Sequence, residues 1–437
     1  MTTLLERAKR SALDLSLGFG VPADLMALLS SHTEQIRSLD FVFAGWEDVE
    51  RFAGINSGPL PLLRTLTINA IDDGNLGEPD PSITPSRPLF GQAVNLKEFR
   101  FQSQWGWPPS LNNFAFPRLV SFDLLTTGID GFRATQLLDF LEASPMLRTV
   151  RIKVTAFTAL NRIPQERVAT LPQVGTFDLT VDDGAPSYEI ATHISCPSAR
   201  DTSFKQFVGA DDVVLEEIFP TLDSWNAIVH QYARSPVEDV TLEIKTVHTI
   251  ACTLTFRSSD SNRLVFGVTV NPEKHVPLPD GMYVQVLAQA VRTILDHPHL
   301  THTKRLSICH NFCGPDSTRV LQIANEVGPL LRYFSRLDEL NIYHCDLRPY
   351  FRPFLASPVR EPVVFPHIRK LSILHPSDLT NPRCVAAITR LAKFQHQAKA
   401  PIEQVVIKNE KMPVGMEEEL SPLVGSVEHV EMVNHWF

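Results

Sequence analysis

One cassette, apolar-x-x-apolar-x-apolar, recurs along nearly the whole chain and is often entered by a proline. It reads Pro61, Leu63, Leu66, Ile68, then Pro117, Leu119, Phe122, Leu124, then Pro145, Leu147, Val150, Ile152. It continues with Pro172, Val174, Phe177, Leu179 and, far downstream, Pro366, Ile368, Leu371, Ile373. A motif that returns every few tens of residues constrains the fold more than any single residue can. Each copy is too small to bury its own apolar face, so stability requires stacking on its neighbours.

The middle apolar residue marks each copy: Leu13, Leu39, Leu66, Phe99, Phe122, Val150, Phe177 and a weaker Phe204, then Val240, Leu306, Leu340, Leu371, Val405 and Val430. Most intervals lie in or slightly above the range of leucine-rich repeats. Within a cassette, apolar and polar residues alternate at period two, as in a half-buried strand. In 64–69, RTLTIN, Leu66 and Ile68 face in while Thr65, Thr67 and Asn69 face out. Between cassettes lie helical patterns at 132–144, 283–297 and 382–400, the last opened by Pro382 at a first helical position. The expected fold is therefore α/β: an irregular leucine-rich-repeat-like solenoid, with parallel strands on a concave face and helices and loops on the convex one.

The 66 residues from Val240 to Leu306 break the period. Alternation on both sides of Ser-Ser-Asp-Ser-Asn predicts a β-hairpin insertion near 249–271, pairing Cys252–Arg257 with Arg263–Val268. This gives an N-terminal repeat section over 1–248, an insertion of hairpin plus helix over 249–300, and a C-terminal repeat section over 301–437, all in one continuous solenoid. Residues 72–88, rich in Gly, Pro and Ser, read as an exposed loop. Two downstream copies approach the fuller pattern L-x-x-L-x-L-x-x-N/C-x-L: Leu337, Leu340, Ile342, Cys345, Leu347, and Thr303, Leu306, Ile308, Asn311, Cys313.

Composition narrows the function classes. Hydrophobic residues make up 43% of 437, ample for a continuous core. Lys+Arg 40 against Asp+Glu 49 gives a net charge of −9, which argues against nucleic acid as a partner. No apolar run is long enough for a membrane span, and residues 1–20 lack the pattern of a signal peptide. Six cysteines in so long a chain suit a reducing compartment, so the expectation is cytoplasmic or nuclear. Phosphate-loop, dinucleotide, nucleophile-elbow and H-E-x-x-H motifs are missing, so no enzyme and no cofactor are expected.

Candidate binding residues follow from the expected register. Between the second and third apolar positions of successive cassettes stand Arg100, Asp123, Arg151 and Asp178. Stacked about 4.8 Å apart, their alternating charges would form a ladder of ion pairs or a charged recognition strip. Asp14 and Asp40 take the same position upstream, and Arg37, Arg64, Lys97 and Arg148 make one edge basic. Trp105 and Trp107, just past a strand, are either a hot-spot anchor for a partner or packing over the sheet edge. His310, His344 and His375 share one repeat position, as a row of capping histidines or, as a weaker reading, a metal site.

The proline-led cassettes at 116–124, 144–152 and 365–373, together with the opening 4–19, resemble the leucine-rich-repeat portion of the large F-box family of mushroom-type fungi. The resemblance implies a substrate-recognition arm in a cullin–RING ubiquitin ligase, with protein partners. No F-box precedes residue 4, and 214–225, which faintly echoes one, falls where a repeat helix is due. A Skp-type adaptor is therefore expected only if an F-box exists outside this chain. The alternatives are a free-standing interaction protein unrelated to ubiquitin, or an enzyme with a scattered histidine-containing site.

Overall fold

A computed structural model of the chain describes residues 11–18, 24, 29, 31–43, 59–70, 93–103, 116–126, 132–155, 157–158, 163–164, 166–181, 187–208, 228, 235–246, 250–270, 298–312, 325, 334–343, 368–374, 382–409, 412 and 414–431. The protein is α/β and dominated by mostly parallel β-sheet. It divides into two compact units, Met1–Gln206 and Phe207–Phe437.

The first unit carries β1 (Leu13–Leu17), β2 (Ile36–Phe43), β3 (Thr65–Ala70), β4 (Glu98–Ser103), β5 (Ser121–Thr126), β6 (Phe132–Arg133), α1 (Ala134–Glu142), β7 (Thr149–Val154), β8 (Phe157–Thr158), β9 (Ala169–Thr170), β10 (Thr176–Val181), α2 (Ser187–Thr192), β11 (Ile194–Ser195) and the start of β12 (Asp201–Val208). Eight of these strands lie side by side in the order β1-β2-β3-β4-β5-β7-β10-β12, every pair parallel. The short strands β6 and β8 form a separate parallel pair, as do β9 and β11.

The sequence builds each strand in the same way. A tight turn comes first, closed by Leu63 N–H on the Leu60 carbonyl at 3.2 Å, Leu96 on Ala93 at 3.0 Å, Leu119 on Phe116 at 3.0 Å and Leu147 on Ser144 at 3.3 Å. Val174 on Leu171 (3.4 Å) and Ala199 on Cys196 (3.1 Å) repeat it. Pro61, Pro117, Pro145, Pro172 and Pro197 hold the second position of their turns, where a fixed φ preorganises the bend. Alternation then sends every other side chain into the core: Leu66 and Ile68, Phe99 and Phe101, Phe122 and Leu124, Val150 and Ile152, Phe177 and Leu179 are all buried. Phe122, Val150 and Phe177 are direct neighbours in register. Helix α1 closes over this face through Phe140, whose ring lies 4.5 Å from Phe122 and 6.2 Å from Phe99 between centroids. Arg167, at the entry to β9, bonds Asp139 and Glu142 of α1, pinning the helix from its far side.

The second unit carries β13 (Val237–Thr246), β14 (Ile250–Ser258), β15 (Arg263–Val270), β16 (Arg305–Phe312), β17 (Glu339–Tyr343), β18 (Lys370–Leu374), α3 (Pro382–Gln397), β19 (Gln404–Asn409), α4 (Met416–Leu420) and β20 (Ser426–Glu431). Its strand order is β15-β14-β13-β16-β17-β18-β19-β20. From β13 through β16 to β20 the pairing is parallel; β13, β14 and β15 run antiparallel to one another. The expected hairpin forms in the expected register, Cys252 opposite Val268 and Arg257 opposite Arg263. Its loop is closed by Ser258 N–H on the Asn262 carbonyl, with Ser261 at φ 63°. Strand β14 also pairs with β13, so the hairpin belongs to the sheet itself.

Three registers differ from the alternation reading, those of β1 and β12 by a two-residue slip that preserves alternation and that of β20 by three residues. Asp40 faces Ser16, and Asp14 faces Ser38 after an irregularity between Leu13 and Asp14. Phe177 faces Thr202, not Phe204, and Val405 faces Val427, not Val430. Side-chain period two leaves a two-residue slip invisible to polarity, and turn placement decides it. The helices expected at 132–144 and 382–400 form as α1 and α3. The segments 72–88, 214–225 and 283–297 lie outside the described residues.

Candidate functional site

The exposed face of the first unit is a grid fixed by strand register. Its central row runs Asp40, Thr67, Arg100, Asp123, Arg151, Asp178, Ser203. The four candidate residues Arg100, Asp123, Arg151 and Asp178 thus stand on adjacent strands at one level. Parallel strands place such neighbours about 4.8 Å apart. Buried Phe99, Phe122, Val150 and Phe177 hold each from below by occupying the preceding position in its strand.

The ladder of ion pairs is broken. Arg100 Nε approaches Asp123 Oδ2 at 3.6 Å, with the two side chains 58% and 33% exposed. Among the described residues Arg151 makes no ion pair, although Asp123 and Asp178 flank it in register. An exposed pair gains roughly 0–1 kcal/mol and must hold two side chains against water, so register alone does not close it. Asp178 Oδ1 and Ser203 Oγ, neighbours in register, are both buried without a hydrogen-bond partner among the described residues. On the next row Thr180 is buried, with exposed Lys153 and Lys205 on either side.

At the turn edge of the same face a second row is fixed by backbone bonds. Arg64 N–H donates to the Arg37 carbonyl at 2.8 Å, Lys97 to Arg64 at 2.8 Å and Val120 to Lys97 at 2.8 Å. Arg148 donates to Val120 at 2.8 Å, Gly175 to Arg148 at 2.8 Å and Arg200 to Gly175 at 2.9 Å. The row carries five cations and no anion. Arg37 is held by Asp14, whose carboxyl is pulled below the usual carboxylate range by that hydrogen bond. Arg200 completes the basic edge that Arg37, Arg64, Lys97 and Arg148 foreshadow. The slip at β12 hid it, because a marker at Phe204 points two residues too far along.

The second unit places opposite charges at the equivalent edge. Its row reads Glu238, Lys304, Asp338, Arg369, Glu403, linked by the same backbone bonds. Lys304 Nζ lies 3.0 Å from Glu238 and Arg369 Nε lies 2.8 Å from Glu403. One position further on, Arg305 bonds Asp239 with both Nε (2.6 Å) and Nη2 (2.8 Å), and Lys370 lies 3.9 Å from Glu339. These bonds raise the Arg305 guanidinium further above its ordinary value, led by the hydrogen bond to Asp239. Reading the residue two before each downstream marker would have exposed this alternation.

Trp105, Trp107, His344 and His375 lie outside the described residues. His310 pairs in register with Ile244 at the position following Cys309 on β16. Among the described residues, no group of three His, Cys, Asp or Glu side chains is placed to hold a metal ion. Cys196, Cys252 and Cys309 form no disulfide among the described residues, and burial pushes the Cys252 thiol up to about 12. No described helix is long and apolar enough to cross a membrane. No protein-family model matches the chain, and a search of curated proteins finds none similar to it.

Proposed function

We propose that the chain is a non-enzymatic protein-recognition scaffold, an irregular leucine-rich-repeat-like solenoid that binds its partner across the exposed strand face. The observation that carries this reading is the register of Arg100, Asp123, Arg151 and Asp178 over a packed apolar layer. Each is anchored by a strand whose neighbours are bonded on both sides, so the charges sit at fixed intervals without a pocket. Arg151, flanked by two carboxylates yet in no ion pair among the described residues, offers its donors to a partner.

On the resemblance of its proline-led cassettes, the scaffold is the substrate-binding arm of an F-box-type ubiquitin-ligase receptor, acting in the cytoplasm or nucleus. Docking to a Skp-type adaptor then requires an F-box outside residues 1–437. The test is co-precipitation of the protein, expressed from its own gene, with a Skp-type adaptor and a cullin. Recovery of both supports the ligase arm. Recovery of neither, with other proteins still bound through the strand face, leaves a free-standing interaction scaffold.

A further inference from the structure

The basic turn edge of the first unit is not matched to anything within the described chain. Arg64, Lys97, Arg148 and Arg200 are all exposed and form no side-chain ion pair among the described residues. In the equivalent edge of the second unit both cations are paired within the row, Lys304 with Glu238 and Arg369 with Glu403. The same architecture thus carries a self-satisfied charge row in one unit and an unsatisfied one in the other. On a chain of net charge −9, such a row is a local reversal of sign.

The row also has apolar companions. Leu62, Val94 and Met146 are 44%, 52% and 39% exposed, and each lies two or three residues before a cation of the row, in the turn leading to it. The corresponding turns of the second unit present Thr301 and His302, then Ser335 and Arg336. Val120 and Gly175 interrupt the cations with small or half-buried side chains and leave room between them. Glu98 and Asp201 stand one position further along β4 and β12 and bound the basic row on the strand side.

We propose that this edge docks an extended acidic segment of a partner protein, with apolar side chains interleaved between its carboxylates. From Arg64 to Arg200 the row crosses five strand spacings, about 24 Å, the length of roughly seven residues of extended chain. Apolar side chains beside single-file cations suit such a segment better than a phosphate backbone, which offers no apolar groups to Leu62, Val94 and Met146. The inference rests on the reading of the chain as a binding scaffold and adds the chemistry of what it grips.

The test is fluorescence anisotropy with the full chain and a labelled peptide of about eight residues alternating Glu and Leu, at low and physiological salt. The same peptide with Gln for Glu and a single-stranded oligonucleotide serve as comparators. The Glu peptide is expected to bind, to weaken as salt rises, and to lose at least about tenfold in affinity in the variant Arg64→Gln, Lys97→Gln, Arg148→Gln, Arg200→Gln. Lys304→Gln with Arg369→Gln should leave the affinity within about twofold, and Leu62→Ser with Met146→Ser should weaken it. All these positions are exposed, and an unchanged melting temperature confirms that the variants fold. No binding of the Glu peptide, equal binding by the quadruple variant, or binding of the oligonucleotide alone would overturn the proposal. The strand-face reading would survive any of these, because it depends on Arg100 and Arg151 instead.

Discussion

Glu403 and Gly425 meet backbone to backbone: a Cβ on Gly425 would stand 2.6 Å from the Glu403 carbonyl oxygen. The contact lies where β20 joins β19, and Gly425 N–H donates to the Ile402 carbonyl at 2.9 Å. Gly425→Ala should therefore force the last strand away from the sheet, costing roughly 1–3 kcal/mol. Chemical denaturation and amide exchange across 426–431 measure it. Wild-type stability with unchanged protection there would show that the approach is not as close as stated.

Phe140 is the plug between α1 and the sheet, packed on Phe99, Phe116 and Phe122. Phe140→Ala should destabilise the protein by about 3–5 kcal/mol, since rigid strands cannot collapse into the space. A loss below about 1 kcal/mol in denaturant titration would mean that α1 does not cover this core.

Cys252 is buried, and desolvation holds its thiol at about 12. It should resist thiol reagents at pH 8 in the native protein and react on unfolding. Because the folded value is raised above the unfolded one, folding is undisturbed below roughly pH 8.5 and weakens as pH climbs above it. Rapid native labelling of Cys252, read by mass spectrometry, would contradict the burial.

Asp14 and Arg37 are a surface pair across β1 and β2. The hydrogen bond lowers the Asp14 carboxyl, so whatever the pair contributes is present above about pH 4 and lost as pH falls through the depressed value. A carbon-detected titration should place Asp14 below an ordinary aspartate, and Arg37→Ala should return it to the ordinary range. An unmoved midpoint in that variant would show that the pair does not form in solution.

Much of this architecture was written in the cassettes. Leu66, Phe99, Phe122, Val150 and Phe177 align in register as their spacing implied, because a buried apolar residue and a proline-led turn fix both the face and the start of each strand. At β1 and β12 alternation could not distinguish a two-residue slip, so the markers Leu13 and Phe204 stand one pair away from the true register, and at β20 Val430 stands three residues beyond Val427. The hairpin was legible because its polar turn separates two alternating runs. The charge row was less so. Sequence gave Arg100, Asp123, Arg151 and Asp178 their common level, but whether neighbours close into ion pairs depends on rotamers and water. The alternation of Glu238, Lys304, Asp338, Arg369 and Glu403 was legible two residues before each downstream marker, but the pairing of Lys304 with Glu238, 66 residues apart, and of Arg369 with Glu403 had to come from the fold.

The account stands on the exposed strand face as the gripping surface. The direct measurement is quantitative affinity capture with the wild-type chain and with Arg100→Glu plus Arg151→Glu, followed by a binding isotherm for the protein recovered. The account predicts at least about a tenfold loss of affinity in the reversed variant, with melting unchanged, because both side chains are exposed. Equal affinity of the folded variant for the same partner would contradict it.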